Sequence, residues 1–332
     1  MTIVCLYFIK IISFDLFISL FISAAGFQLL ILVFYISIVD KIKFNIDWKF
    51  IRSHGMKQMM SYVFMMALAT LASRALRQID VVMVGSDLSK ATPLDEVAIY
   101  TIAFTIGSLI EVPANALSKI GDSKISDAIH RNDLKLIETV YFKSTRMLMI
   151  IGGLLFAGVY INIHSLLYFL PEKYSAGENV VKIIGVSAFF NMATGLNSSM
   201  IFYSDKYRQG TYLLVGLIVC SVLFNWLLIP LYGIEGAAIA TGTALLLFNA
   251  VKTLIIWKNF KMQPFGKYAL AVFLLIGISL GVNYFLPELQ NHFLDMVYRS
   301  VIITLIYGVG VLVTKIFPEA NKFVSEKTGI TI

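Results

Sequence analysis

The sequence is dominated by apolar runs of about twenty residues that recur along its whole length. A run of this length is what an α-helix needs to cross the roughly 30 Å hydrocarbon core of a bilayer. Transmembrane strands would instead be runs of about ten residues with alternating polarity. Only 14% of the 332 residues are charged, against about 25% in soluble domains. The pattern predicts an all-α, polytopic transmembrane helix bundle of about nine spans, after a short apolar piece at 2–13, with spans at 16–39, 59–83, 98–116, 147–170, 179–203, 210–231, 234–256, 267–286 and 296–316.

Basic residues fall on alternate sides of these spans. Twenty Lys and Arg residues lie in every second connection, and only four lie in the connections between them. Because basic residues of short loops are retained on the cytoplasmic side, the first full span is expected to run inward and the C-terminus to be cytoplasmic. The longest inner connection, 118–146, mixes charged and apolar residues and predicts a helix lying at the membrane interface.

The net charge of +7 does not indicate a nucleic-acid partner, because the basic residues are dispersed among the spans. Cys5 and Cys220 lie inside apolar stretches and predict no disulfide framework. The four histidines are too dispersed for a metal site, and no cofactor motif is present. We expect a non-enzymatic protein without metal or cofactor.

The strongest chemical signal is a polar group inside the span 59–83. Arg74, Arg77 and Gln78 share one helix face at i, i+3 and i+4, and Asp80 lies close by. An arginine at the centre of a transmembrane helix costs about 2.5–3.5 kcal/mol, so such residues usually face a cavity. Two guanidinium groups there could bind phosphate oxygens, with Asp80 orienting them. In the alternative interpretation the arginines reach the outer interface and Arg77 pairs with Asp80.

Further polar residues lie in later spans. Glu111 and Asn115 flank Pro113, and they predict either an ion-coupling site or a hydrogen bond between helices. Asn191 and Asn197 could line the same substrate cavity or join helices. We predict substrate binding by Arg74, Arg77, Gln78, Asn191 and Asn197, and ion coupling by Asp80, Glu111 and Asn115.

Three segments together resemble a known family: residues 78–85 (QIDVVMVG), 97–103 (VAIYTIA) and 229–240 (IPLYGIEGAAIA). In order and spacing they are similar to the polysaccharide (O-antigen) flippases of the multidrug/oligosaccharidyl-lipid/polysaccharide exporter superfamily. The resemblance covers 59–256. It implies two six-helix lobes around a central cavity, alternating access, and coupling to a proton or sodium gradient.

The resemblance also implies a domain organisation. Residues 1–39 would be a remnant of the N-terminal lobe and 40–58 a cytoplasmic linker. Residues 59–256 would form the C-terminal six-helix lobe, and 257–332 an additional helix pair with a cytoplasmic tail. About four helices of the first lobe would be absent, so a fragment or half of a split transporter is expected.

The implied function is transfer of a polyprenyl-diphosphate-linked oligosaccharide across the bacterial inner membrane during polysaccharide biosynthesis. Membrane lipids, a glycan polymerase and glycosyltransferases would be its partners. Three alternatives stay open: efflux of drugs or organic cations by the same fold, a membrane-embedded glycan polymerase or ligase, and a nonfunctional fragment. The paired arginines disfavour cation efflux, and the short outer connections disfavour an enzyme.

Overall fold

The computed structural model describes residues 14–39, 54–86 and 93–328, apart from some side chains within these ranges, including those of 73, 74, 76 and 77. The chain divides into two compact units, residues 1–61 and 62–332. The first unit contains helix α1 (Phe14–Val39) and the start of α2 (His54–Gly85).

The second unit continues with helices alone in the part of the chain that the structure describes. Two short 3₁₀ segments, Leu109–Glu111 and Glu172–Gly177, lie between its longer helices. The α-helices are α3 (Pro93–Ser108), α4 (Val112–His130), α5 (Leu134–Tyr168), α6 (Glu178–Ala193), α7 (Asn197–Tyr203), α8 (Tyr207–Phe260), α9 (Lys267–Phe285), α10 (His292–Val313) and α11 (Pro318–Thr328).

The predicted all-α transmembrane class is confirmed. Among the described residues, six helical stretches are long and apolar enough to cross a membrane, and a bent pair of helices adds a seventh. All nine predicted spans fall on helices, but two of them share α8. The span 59–83 lies in α2, whose apolar stretch is limited to Met59–Ala72 because polar residues follow it. The chain is a multi-pass membrane protein.

Helix α8 folds back on itself at Gly233. A straight helix of its 54 residues would be about 80 Å long, far beyond the thickness of a bilayer. Gly233 has φ 59° and ψ −132°, a backbone conformation that glycine adopts easily and other residues rarely do. Pro230 lies three residues before it. The hydroxyl oxygens of Ser221 and Thr241 lie 3.3 Å apart, although twenty residues separate them. The two arms, 207–232 and 234–260, are therefore antiparallel neighbours.

The expected interfacial helix at 118–146 is wrong. This segment consists of the end of α4 and the beginning of α5, joined by a tight turn at Arg131–Asp133. Asp133 caps α5 by accepting a hydrogen bond from the backbone amide of Leu136 at 3.0 Å. Charges between apolar residues thus reflect two long helices that pack side by side, with Ile125 and Ile137 buried between them.

The core of the second unit is built around α5. At one end of the bundle α5 packs with α6, α9 and α10, where Met149, Met192 and Val272 are fully buried. Tyr307 of α10 donates a hydrogen bond to the carbonyl oxygen of Ile150 at 2.9 Å. These contacts hold α9 and α10 against α5.

Candidate functional site: a polar cavity between α3, α4, α6, α7 and α8

A cavity of about 510 Å³ lies among helices of the second unit. Its volume is typical of small-molecule sites. Phenylalanine and leucine side chains form much of the wall: Phe104, Phe202, Leu214, Leu217, Leu245 and Phe248. The polar residues of the wall come from several helices: Thr105, Ser108, Glu111, Asn115, Asn191, Ser198, Thr241 and Lys252.

Glu111 reaches the cavity because the helix changes its geometry there. Pro113, in the first turn of α4, has no backbone N–H for a continuous helix, and the chain passes from α3 to α4 through a 3₁₀ turn that includes Glu111. The amide nitrogen Nδ2 of Asn191 donates to Glu111 Oε1 at 3.1 Å. The structure therefore brings Glu111, Asn115 and Asn191 to one cavity, and the contact between Glu111 and Asn191 is also a hydrogen bond between helical segments, the alternative that the sequence left open.

A second break, between α6 and α7, brings Ser198 into the wall. The two helices are bent by 56°. Gly195, at the break, has φ 59°, and a Cβ there would collide with the Thr145 hydroxyl, so no other residue fits without movement. After the break Ser198 lines the cavity. Its neighbour Asn197 is fully buried and lies outside the cavity wall.

Asn197 instead joins helices. Its Oδ1 accepts a hydrogen bond from Tyr141 at 2.7 Å, and its Nδ2 donates to Thr253 Oγ1 at 3.1 Å. Both ends of the amide are engaged, so the side chain has the helix-joining role that was the alternative to substrate binding. The break at Gly195 lies between Asn191 and Asn197, and the two side chains therefore reach different surroundings.

Lys252 is the cation of the cavity, and sequence reasoning missed it. Its residue is only 4% exposed. Nζ donates to Ser198 Oγ at 3.1 Å and lies 4.5 Å from the centre of the Phe248 ring. Its electrostatic partner is Glu111 in the same cavity wall, although no carboxylate oxygen among the described residues lies within salt-bridge distance of Nζ. The sequence assigned Lys252 to an inner connection because it comes near the end of an apolar run.

Asp80 lies behind the cavity, in a cluster of hydrogen bonds. It is 1% exposed, and Tyr100 Oη donates to its Oδ2 at 2.7 Å. Asn225 Nδ2 donates to its Oδ1 at 2.7 Å. The Thr241 hydroxyl lies 2.8 and 2.7 Å from the two carboxylate oxygens, and it also faces Ser221. The cluster joins α2, α3 and both arms of α8, and Thr241 belongs to both cluster and cavity.

The other predicted residues lie on α2. The side chains of Arg74 and Arg77 are outside the described residues, although their backbone belongs to the helix. Gln78 is exposed and is not part of the cavity wall. Asp80 is held by hydroxyl and amide donors of other helices, a set of partners that the sequence did not reveal.

Comparison with solved structures finds the same fold in a membrane transporter. The chain is similar to the outward-facing conformation of a multidrug resistance transporter of the MATE family, within the MOP superfamily, with a TM-score of 0.50 and 16% sequence identity. The match covers 66% of this chain and 50% of the transporter, so the chain corresponds to about half of that protein's length. No family model and no curated protein matches the sequence. At this identity the likeness concerns the fold.

Proposed function

We propose that the protein is a membrane transporter, and specifically a flippase for a polyprenyl-diphosphate-linked oligosaccharide in the bacterial inner membrane. The observation that carries the proposal is Lys252, a buried ammonium group in the wall of the cavity. Burying a charge costs several kcal/mol, and Glu111, the carboxylate of the same cavity, offsets this cost only in part because it forms no salt bridge with Lys252. A negatively charged ligand would supply a direct partner. A diphosphate is a partner of the required sign.

The cavity also suits the rest of this substrate. Ser198, Asn191 and Asn115 offer hydroxyl and amide groups that can hydrogen-bond to sugars. Arg74 and Arg77 are proposed as further anion contacts. The apolar prenyl chain would stay in lipid while the head group passes through the polar cavity, and movement of the helices would expose the cavity to each side in turn. Glycosyltransferases would supply the lipid-linked glycan.

The Asp80 cluster supports a role in ion coupling. It gathers a carboxylate with the oxygens of Tyr100, Asn225 and Thr241, and Asn225 Oδ1 is buried without a hydrogen-bond donor. Oxygen ligands of this kind suit a proton or a hard cation such as sodium. Because Thr241 faces the cavity as well, occupation of the cluster would change the cavity wall. Glu111 and Asn115 are proposed as a second group involved in coupling.

Direct binding tests the substrate. Purified chain would be titrated with undecaprenyl diphosphate in detergent, using the wild type, Lys252→Met and a matched control, Lys258→Met, whose lysine is exposed on the same arm of α8. A buried, hydrogen-bonded charge pair is worth about 2–5 kcal/mol, so Lys252→Met should weaken binding by a factor of about 30 or more. Lys258→Met should stay within a factor of two. Equal affinities of the wild type and Lys252→Met would contradict the proposal.

Export of organic cations is a second candidate, because the carboxylate of Glu111 and the rings of Phe202 and Phe248 line the same cavity. Such groups attract cations through charge and through the faces of aromatic rings. Titration with tetraphenylphosphonium distinguishes the two functions. Cation export predicts tight binding that Glu111→Gln abolishes and Lys252→Met improves. The flippase predicts instead that the wild type binds undecaprenyl diphosphate more tightly than tetraphenylphosphonium.

Thermal melting tests ion coupling separately. If Asp80 holds sodium, sodium chloride should raise the melting temperature above that in choline chloride, and Asp80→Asn should remove the difference. If Asp80 holds a proton, the melting temperature of the wild type should be higher in acidic than in neutral buffer, and Asp80→Asn should remove that difference. If neither ion affects the wild type more than Asp80→Asn, the coupling role of Asp80 is wrong.

A further inference from the structure

A second, smaller chamber lies where α5 and α9 end and where α6 and α10 begin. Its volume is about 300 Å³, and its wall includes His164, Glu178, Lys182, Glu288 and His292. Helix α9 has 19 residues and is therefore about 28 Å long, close to the thickness of the hydrocarbon core. Its end at Phe285 thus lies near the membrane surface, and the chamber lies at the level of lipid head groups.

Most charges of the chamber are paired within it. Lys182 Nζ lies 2.7 Å from one oxygen of Glu178, and His164 Nδ1 lies 3.5 Å from the other. Deeper in the wall, Arg299 and Asp295 form a salt bridge of 2.7 Å with both side chains 7% exposed. The charges of these two ion pairs, Lys182 with Glu178 and Arg299 with Asp295, sum to zero when His164 is neutral.

Glu288 is the exception. It lines the chamber, is exposed, and has no hydrogen bond or salt bridge with any residue that the structure describes. With neutral histidines the chamber therefore carries one negative charge in excess. Its ligand should contribute a positive charge.

The surroundings match an amine that is attached to a lipid. The Tyr160 ring in the wall already faces Lys182 Nζ at 5.4 Å, whereas His292, also in the wall, stacks on Tyr168 with ring centres 3.8 Å apart. Aromatic rings near a carboxylate favour a bound ammonium group. Beside the chamber, Tyr284 and Phe285 are 87% and 84% exposed, so they offer an apolar surface for acyl chains where α9 leaves the membrane.

We propose that this chamber binds the head group of an ethanolamine phospholipid, with the ammonium group at Glu288 and the phosphate near the imidazoles of His164 and His292. The chamber is at the lower end of the usual size of small-molecule pockets, so it fits a head group and not a whole lipid. The excess negative charge selects against an anionic lipid such as phosphatidylglycerol. The site is independent of the cavity at Lys252.

Native mass spectrometry of the purified full chain tests the proposal. The protein would be incubated with an equimolar mixture of phosphatidylethanolamine and phosphatidylglycerol, and the retained lipids counted. One exposed charge contact is worth about 1 kcal/mol, so the wild type should retain ethanolamine lipid about fivefold more than glycerol lipid. Glu288→Lys should reverse the preference. Glu172→Lys, which changes an exposed glutamate outside the chamber wall, should leave it unchanged.

Several results would overturn the assignment. Equal retention of both lipids by the wild type is one, and an equal effect of Glu172→Lys and Glu288→Lys is another. A third arm adds soluble phosphoethanolamine at millimolar concentration. If it displaces the lipid completely, the ligand is a soluble amine and not a membrane lipid. Melting temperatures of the variants, which are expected to match the wild type, show that the fold is intact.

Discussion

Replacing Thr241 by valine removes one hydroxyl from the Asp80 cluster with little change of volume. The hydroxyl lies 2.8 and 2.7 Å from the two oxygens of Asp80. A hydrogen bond to a charged group is worth about 1.5–3 kcal/mol. Each carboxylate oxygen keeps one other donor, Asn225 or Tyr100, so Asp80 is weakened but not left without partners. We expect Thr241→Val to lower the free energy of unfolding by about 2 kcal/mol.

The measurement is a denaturant titration in mixed micelles, where sodium dodecyl sulfate unfolds the helices reversibly. Thr243→Val is the matched control, because Thr243 lies two residues further along the same arm of α8 and is exposed. Its substitution should change the free energy by less than about 0.5 kcal/mol. The difference between the two variants isolates the contact with Asp80.

A double-mutant cycle with Tyr100→Phe sharpens the test. Tyr100 and Thr241 both donate to Oδ2 of Asp80, so the double variant leaves that oxygen without a donor in the cluster. The cost should exceed the sum of the single effects by roughly 0.5–3 kcal/mol, as is usual for residues that share a partner. If Thr241→Val costs no more than Thr243→Val, or if the two changes are additive, the description of the cluster is wrong.

Three further predictions concern other parts of the bundle. Gly195→Ala should lower the melting temperature by several degrees, since φ is 59° and the new Cβ meets another side chain, whereas Gly158→Ala, where the space is open, should not. Arg299→Met should destabilise the chain by about 3–5 kcal/mol in a detergent titration, because it leaves Asp295 as a buried charge without its partner. Burial raises the pKa of Glu319. Hydrogen bonds from its own backbone amide and from Lys143, together with the positive charge of Arg146, have the larger effect and hold the pKa below its ordinary value. Docking of α11 should thus be at full strength above about pH 4.5 and weaken as the pH falls through the lower folded value, which hydrogen exchange of 318–328 would detect; exchange that is independent of pH after correction for the intrinsic rate would contradict it.

Hydropathy was sufficient to place the apolar spans on helices, because a bilayer imposes one length and one polarity on every span, but it failed for 118–146, where charges lie on the ends of two long helices. It also identified Asp80 and Glu111 as polar groups that lipid would not accept. The predicted spans 210–231 and 234–256 are separated by only two residues, which requires a tight reversal, and the structure has that reversal at Gly233 inside α8. These features are local, so they can be read from neighbouring residues.

The partners within the site could not be predicted in this way. Asp80 is bonded to residues 20, 145 and 161 positions away, and no local pattern encodes which helices meet. Lys252 lies near the inner end of the predicted span 234–256, and the alternation of basic residues placed it with the cytoplasmic charges and not in a cavity. Asn197 seemed equivalent to Asn191 until the break at Gly195 separated them. Tertiary packing decides all three cases.

The ligand of the cavity can be captured directly in membranes of cells that make a polyprenyl-linked glycan. A photoreactive phenylalanine at Phe248, whose ring lies 4.5 Å from Lys252 Nζ, would be compared with one at Leu247, which is 50% exposed on the same arm. We predict that mass spectrometry finds the diphosphate-linked glycan attached at position 248 and ordinary phospholipid at position 247. The same phospholipids at both positions, or a cationic compound at 248, would contradict the flippase.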